Sequence, residues 1–545
     1  MPSELDIKYD LKLAEVIGPG GRIQIDRDEH GRAIVANLPP TLPAMFDAFC
    51  ALHAGTVAVI ADGERLTFAE LNAAADRSAR ALVADFGIAK GDRVAIAMRN
   101  APAWIVSYMA VLKAGGIAVL VNGWWQADEL RHGLTLTEPK LLLCDAPRAR
   151  RLEAAGIDFP HLVLPVERPI PEAMAPLTEL GGDSALPEIL AEDFATILFT
   201  SGSTGRPKGV PVLHRNVDHY LRHVRDRYGF ASDDVFSQTF DPTFDLAMFD
   251  MFAAWGAGGT LVSTPSTALV ALGDFVTRNG ITVWFSSPSA IALFRRTGRL
   301  APGVLSTLRW SLFCGEPLLR QDATDWQSAA PNSTVENLYG PTELTISCSV
   351  HRWLPATSPE RCVNDIVPIG TMHAGLRYLL LDEEGRPATG TGELCVTGAQ
   401  MFSGYLDPAD DTGRFIEHAG ARWYRTGDLV REMPDGELAY LGRADHQVKI
   451  RGCRIELSEV DWGLRRCAGV REALTVAVDG ELTSFYLGER RPTAELMTEL
   501  GVLFPRYMIP RFIQHLAEFP LNANRKIDRT VLAGIAGRLV RGEPG

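Results

Sequence analysis

The chain has 545 residues, of which 46% are hydrophobic and 22% charged. That is ordinary for a soluble globular protein and too long for one core, so two or more domains are expected. The formal charge of −13 argues against non-specific binding to nucleic acid or to an anionic membrane surface.

The start, Met1-Pro-Ser-Glu-Leu-Asp, lacks a basic region followed by an apolar run, so no signal peptide is expected. Residues 1 to 42, punctuated by Gly18, Gly20, Gly21, Pro39 and Pro40, read as an N-terminal extension that packs on the body. Globular patterning begins near Leu42. Thr67, with Glu70 three residues on, forms a capping box opening a helix that runs through Leu82. Arg93 to Met98 reads as a strand and Trp104 to Ala114 as a helix, followed by Gly115, Gly116 and another strand. This alternation predicts α/β layers with largely parallel sheet. The most apolar stretch, Ile105 to Val121, is interrupted by Lys113 and two glycines and reads as core, not as a membrane span.

Leu180-Gly-Gly-Asp-Ser184 has the form of a carrier-protein attachment motif. Two prolines and acidic residues surround it where a helical bundle is required, so it is read as a loop. The eight cysteines lie far apart with no Cys-x-x-Cys. They read as free thiols in a reducing, cytoplasmic setting.

Ala195 to Phe199 suits a buried strand. It leads into Thr200-Ser201-Gly202-Ser203-Thr204-Gly205-Arg206-Pro207-Lys208-Gly209. Gly202, Gly205 and Gly209 permit positive φ and close approach of the backbone. Hydroxyls, backbone N–H groups and Lys208 can cradle phosphate oxygens. Gly209 follows Lys208, so this is not the Gly-x-x-x-x-Gly-Lys-Ser/Thr loop. The run resembles the signature loop of the adenylate-forming superfamily, which includes acyl-CoA ligases, luciferases and the adenylation domains of nonribosomal peptide synthetases.

Phe240-Asp-Pro-Thr-Phe-Asp-Leu-Ala-Met-Phe-Asp-Met-Phe252 follows. Its second Phe-Asp pair is similar to the segment that lines the acyl pocket of amino-acid-activating members, where an aspartate binds the α-ammonium. A buried ammonium needs a paired carboxylate. Asp245 fits this register better than Asp241, because Phe249, Asp250, Met251 and Phe252 then match as well; helix capping is the alternative role for Asp245. By the same resemblance Asp245, Leu246, Phe249, Phe285, Leu312, Cys314, Leu338, Ile346 and Ser347 line the pocket. Only Asp245 in this set is charged, which implies a small apolar amino acid; the pattern is similar to free-standing enzymes that load proline on a carrier protein, a resemblance that makes proline the first expectation, with alanine and branched aliphatic residues next.

Asn337-Leu-Tyr-Gly-Pro-Thr-Glu343 resembles the family's adenine and magnesium motif. The resemblance implies that Tyr339 stacks on adenine beside Gly340, that Thr342 contacts the α-phosphate and that Glu343 reaches Mg²⁺. An aromatic face suits a purine and a hard carboxylate suits Mg²⁺. Gly392-Glu-Leu-Cys-Val-Thr-Gly398 resembles a further motif, and Asp428 is expected to accept bonds from both ribose hydroxyls. Arg443 is then implied to contact the nucleotide, Asp445 to be the hinge between domains and Gly452 to lie where a pantetheine arm passes. Lys526 near the end matches the family's mobile lysine, although Arg525 stands where the family usually has Gly.

The resemblance runs from about Leu66 to Asp528. It implies a large core domain over 43–444, built of layered α/β sheets plus a small barrel-like part, and a small mobile α+β domain over 445–545. ATP and Mg²⁺ are the implied cofactors. The implied reaction joins an acid to AMP, with Thr200, Glu343 and Lys526 at the reacting phosphate, and then to a thiol. No carrier or condensation domain follows Gly545, so a free-standing enzyme is expected, with the phosphopantetheine of a separate carrier protein as acceptor. An acyl-CoA ligase using free CoA, with no role for Asp245, and a non-catalytic nucleotide-binding scaffold are the other readings.

Overall fold

A computed structural model describes residues 15–18, 21–27, 33–35, 37–123, 125, 127–179, 184–200, 206–265, 271–443, 447–450, 453–520 and 527–542. Two large sheets carry most of the chain. One has six strands in the order 208–213, 194–200, 117–120, 93–97, 141–144, 161–163. The other has nine, in the order 371–372, 349–352, 334–339, 310–313, 283–286, 235–238, 260–263, 57–61, 64–67. Their interiors are parallel, as the strand–helix alternation predicts. The outermost pairings are antiparallel at 194–200 with 208–213, at 57–61 with 64–67, and at both steps from 334–339 to 371–372.

Between the sheets lies the helix Pro102–Lys113, every residue of which is buried. It is apolar all round because it has no solvent face. Its one cation, Lys113, is held by the carboxylates of Asp47 and Asp76 and by Asn72 Oδ1 at 2.8 Å. The chain leaves this helix through Gly115, whose φ of +75° suits glycine. The helix Phe68–Ala84 opens with the capping box: Glu70 N–H donates to Thr67 Oγ1 at 3.2 Å, and Thr67 N–H donates to Glu70 Oε2 at 2.9 Å.

The strands 15–18, 21–27 and 33–35 form a small antiparallel sheet ahead of the helix Leu42–His53. Val35 and Leu38 join the main apolar core, and Arg222 and Arg225 donate to the carbonyls of Leu38 and Val35. A third sheet, wholly antiparallel, is built from 377–381, 387–388, 391–397, 415–418, 421–432 and 438–443. Residues from 447 onward have apolar clusters of their own, around Ile455, Val460, Leu496 and Tyr486 and around Phe485 and Leu532. They form a hairpin, a three-stranded sheet and the helices 457–466, 493–503 and 529–541. Among the described residues no helix is long and apolar enough to cross a membrane, and all eight cysteines are free thiols. Ser184 lies in a segment without regular structure, while Leu180 to Asp183 fall outside the described residues.

Candidate active site

Several motifs meet in one open cleft of about 950 Å³. Thr200 and Pro207 bring the ends of the signature loop to its wall, Gly340 and Thr342 bring the Tyr-Gly-Pro-Thr-Glu turn, and Asp245 and Leu246 bring the start of a helix. All three arrive at the carboxyl ends of strands or just beyond them, where open α/β sheets place their ligands.

The signature loop closes a hairpin in which Thr200 stands opposite Lys208. Ser201, Gly202, Ser203, Thr204 and Gly205 lie outside the described residues. Lys208 is buried, ion-paired with Asp410 at 3.1 Å, and sits 5.1 Å from the centre of the Tyr405 ring. The reading of Gly209 as a positive-φ residue is corrected: it is not among the glycines with positive φ. What it provides is closeness, since a Cβ there would meet Leu406 Cδ1 at 2.6 Å, and its carbonyl accepts Leu406 N–H at 3.0 Å.

Tyr339, Asp428 and Arg443 come together. The Tyr339 hydroxyl donates to Asp428 Oδ2, and Arg443 donates to Asp428 Oδ1 at 3.0 Å and to the Thr426 carbonyl at 2.9 Å. Burial, then the Asp428 charge, push the Tyr339 phenol well above its ordinary range. Both oxygens of Asp428 therefore already accept from protein donors, while the ribose reading needs them to accept from hydroxyls. Glu343 lies in a one-turn 3₁₀ helix over 342–344 and is fully buried. Its Oε1 accepts from the Tyr405 hydroxyl at 2.5 Å. Tyr339 and Glu343 stand behind Gly340 and Thr342, which form the wall itself.

The two candidate aspartates differ sharply. Asp241 is exposed and closes a turn onto Thr243 N–H at 3.0 Å and Oγ1 at 2.7 Å. Asp245 is 6% exposed and on the cleft wall. It stands at the N-cap of the helix Leu246–Gly256 without a side-chain cap bond; its Oδ2 instead accepts Ile346 N–H at 2.8 Å. Of the nine pocket residues read from the sequence, Asp245, Leu246, Cys314 and Ile346 line the cleft. Phe249, Phe285, Leu312, Leu338 and Ser347 do not; all five are buried behind it. The reason is depth along each element. Phe249 is one helical turn below Leu246, and Leu312 is one pleat below Cys314. Phe249 packs edge-on against Phe285 at 4.8 Å, and Phe240 does the same from the other side. These three rings form an aromatic layer that does not itself line the cleft.

The turn after Glu343 is strained. Thr345 and Ile346 have φ of +58° and +69°. β-branched side chains avoid this region, at a cost of roughly 1–3 kcal/mol per residue.

The cleft is also lined by residues that the sequence reading did not single out: Asn122, Trp125 and Glu129, with Cys453, Glu459, Tyr507 and Met508 from the C-terminal part. Asn122 and Trp125 follow the strand Ile117–Leu120, so position at a strand's carboxyl end was a usable signal. Tyr507 had none. Its phenol is pushed up by burial, then by Cys453 and by the carboxylates of Glu129, Glu459 and Asp241. Asp445, Gly452 and Lys526 lie outside the described residues. Among the described residues no group of three or more His, Cys, Asp or Glu could hold a metal ion.

The family model for AMP-binding enzymes matches residues 46–406. An L-proline:L-prolyl-carrier-protein ligase of Streptomyces coelicolor is 32% identical over 510 residues, covering 88% of this chain and 93% of the relative. The chain spans only 6% and 45% of the length of two peptide synthetases to which it is 34% identical. The crystal structure of IdnL7 is 41% identical with a TM-score of 0.69, covering 91% of this chain and 99% of that one. The Vibrio cholerae adenylation domain AlmE, solved with glycyl-adenosine-5′-phosphate, is 25% identical with a TM-score of 0.77, covering 90% and 96%. With residues 46–406, most of its length, matched by the family model, the chain belongs to the AMP-binding enzymes.

Proposed function

We propose that the protein is an AMP-forming ligase that activates a small apolar amino acid, proline first, and passes it to the phosphopantetheine thiol of a separate carrier protein. The observation that carries this reading is Asp245: a nearly buried carboxylate at the end of the cleft walled by Leu246, Cys314 and Ile346. An ammonium of matching charge suits that place, and a charged or strongly polar side chain beside it would be buried without a partner. The similarity to a prolyl-carrier ligase along nearly its whole length supports both the substrate and the acceptor.

In this reading the substrate carboxylate attacks the α-phosphorus of ATP, forming the aminoacyl adenylate and releasing pyrophosphate. Thr200, Ser201 to Gly205, Lys208 and Thr342 hold phosphate oxygens, and no enzyme nucleophile is needed. Tyr339 and Gly340 face the adenine, while Asp428 and Arg443 take the ribose, with the Tyr339 hydroxyl yielding its bond to Asp428 as the nucleotide enters. A magnesium ion supplies charge neutralisation when bound. Glu343, a buried carboxylate and so a hard oxygen donor, would be the residue that holds it. Lys526 neutralises charge developing in the transition state. Rotation about Asp445 then removes Lys526 and opens the path for the thiol.

The test is ATP–pyrophosphate exchange across the common amino acids and their des-amino analogues, cyclopentanecarboxylate among them. Proline is expected to be best, followed by alanine and branched aliphatic residues. Best activity with a des-amino acid would replace this reading by an acyl-CoA ligase. Thioester formation is then followed with holo-carrier protein and with free CoA, and preference for CoA would overturn the acceptor.

A further inference from the structure

Gln400 is fully buried and is not among the residues that line the cleft. Its side-chain Nε2 donates to three backbone carbonyls of the strained turn: Leu344 at 3.1 Å, Thr345 at 3.2 Å and Ser347 at 2.7 Å. Two N–H bonds are thus shared among three acceptors. The orientation of the amide follows from the network, because a flipped group would set its oxygen against three carbonyl oxygens. The contact is reciprocal: Thr345 Oγ1 donates to the Gln400 carbonyl at 2.7 Å. Asn216 grips the same segment from behind, donating to the carbonyls of Ala399 at 2.7 Å and Met401 at 3.2 Å, and Phe402 N–H donates to the Glu343 carbonyl at 2.9 Å.

The turn held in this way leads in two directions. Its Ile346 N–H is the group that Asp245 accepts at 2.8 Å, and its Ile346 side chain is part of the cleft wall. Two consecutive β-branched residues at positive φ do not keep that shape unaided. We infer that Gln400 is a positioning residue for the amino-acid subsite: it holds the Thr345–Ile346 turn in its left-handed form and thereby sets where the Asp245 carboxylate and the Ile346 wall stand. The inference rests on the assignment of Asp245 to the substrate ammonium. It gives the family's pocket a selectivity element that lies one layer out from the ligand.

The experiment compares Gln400→Leu with the wild type in pyrophosphate exchange, measuring KM for proline and for ATP separately. Loss of the three donations is expected to raise the proline KM about tenfold or more while the ATP KM stays within about twofold. Selectivity for proline over alanine should narrow. Adding Thr345→Gly to Gln400→Leu should recover much of the proline KM, because glycine takes positive φ without strain. If Gln400→Leu does not fold, as judged by near-UV circular dichroism and ATP binding, Gln400→Glu keeps the shape, removes the donors and carries the same expectation. An unchanged proline KM in a folded variant, an equal loss for proline and ATP, or no rescue by Thr345→Gly overturns the inference. Asp245→Asn is run alongside. If it leaves the proline KM unchanged, the substrate assignment has failed; if it raises that KM and Gln400→Leu does not, the positioning role alone has failed.

Discussion

Replacing Asp245 with asparagine keeps the volume and one oxygen that can accept Ile346 N–H, now at 2.8 Å, so the turn and the helix start are retained. What is lost is one negative charge at a site that is 6% exposed. Breaking a buried ion pair by removing one partner costs about 3–5 kcal/mol. Every 1.4 kcal/mol is tenfold, so kcat/KM for proline should fall by roughly two to three and a half powers of ten. ATP affinity should hardly change, because the lost charge acts on the amino acid. Asp245→Ala should be worse, since Ile346 N–H then loses its acceptor as well, a further cost of about 1–3 kcal/mol. The assay is exchange with proline and with cyclopentanecarboxylate on the same preparations. The ring acid lacks the ammonium, so its low rate should not fall further with Asp245→Asn, which keeps the acceptor for Ile346 N–H. A loss below tenfold with proline, or an equal proportional loss with both acids, would refute the ion-pair argument.

Lys526→Ala should lower exchange by roughly a hundredfold or more while nucleotide affinity, measured by calorimetry, is retained; undiminished exchange would remove Lys526 from the mechanism. Asp445→Pro fixes φ at the expected hinge and should impair thioester formation much more than adenylation, so equal loss in both half-reactions would count against rotation there. Three buried histidines should each take stability away as pH is lowered from about 6.5 toward 4, against the opposite contribution of buried carboxyls such as Asp250 and Asp461, whose values burial raises. Burial lowers His214 to about 4, with its Nδ1 accepting Leu42 N–H at 3.3 Å, and lowers His223 to about 4 and His373 well below the usual range, their rings stacked at 3.8 Å. Unfolded histidines near 6.5 bind protons that the folded ones refuse, so their contribution is present above that pH and lost below it. Urea midpoints at pH 7.5, 6 and 5 give the slope, and His373→Leu should shift it toward less loss in acid; an unaltered slope would show that these rings are not its source.

The parts of the fold legible in the sequence are those that local chemistry settles. Thr67 and Glu70 cap a helix through their own side chains, and the strand Arg93–Ala97 and the glycine exit from the helix Pro102–Lys113 were equally plain. The strand Lys208–Leu213 was not, because Pro211 argues against one; it is tolerated since this strand forms the edge of its sheet. Motif register identified which segments approach the cleft but not how far each side chain reaches, which is why Phe249 and Leu312 fall one layer behind Leu246 and Cys314. The left-handed Thr345 and Ile346 were illegible for another reason. Nothing local favours that backbone in β-branched residues, and the side chain that holds it is more than fifty positions away, at Gln400.

Lys113, the one charge in the longest apolar run, also sets a position. Asp47 comes from the helix Leu42–His53, and Asn72 and Asp76 come from successive turns of the helix Phe68–Ala84. An all-apolar helix surrounded by apolar neighbours can slide by a turn at little cost, because grease has no register. The ammonium removes that freedom: only one axial setting places Nζ within reach of three oxygens on two other helices. The strand that follows after two glycines ends at Leu120 on the cleft wall. The amine is therefore an end-stop, fixing from the far side of the core how far that strand reaches toward the ligand.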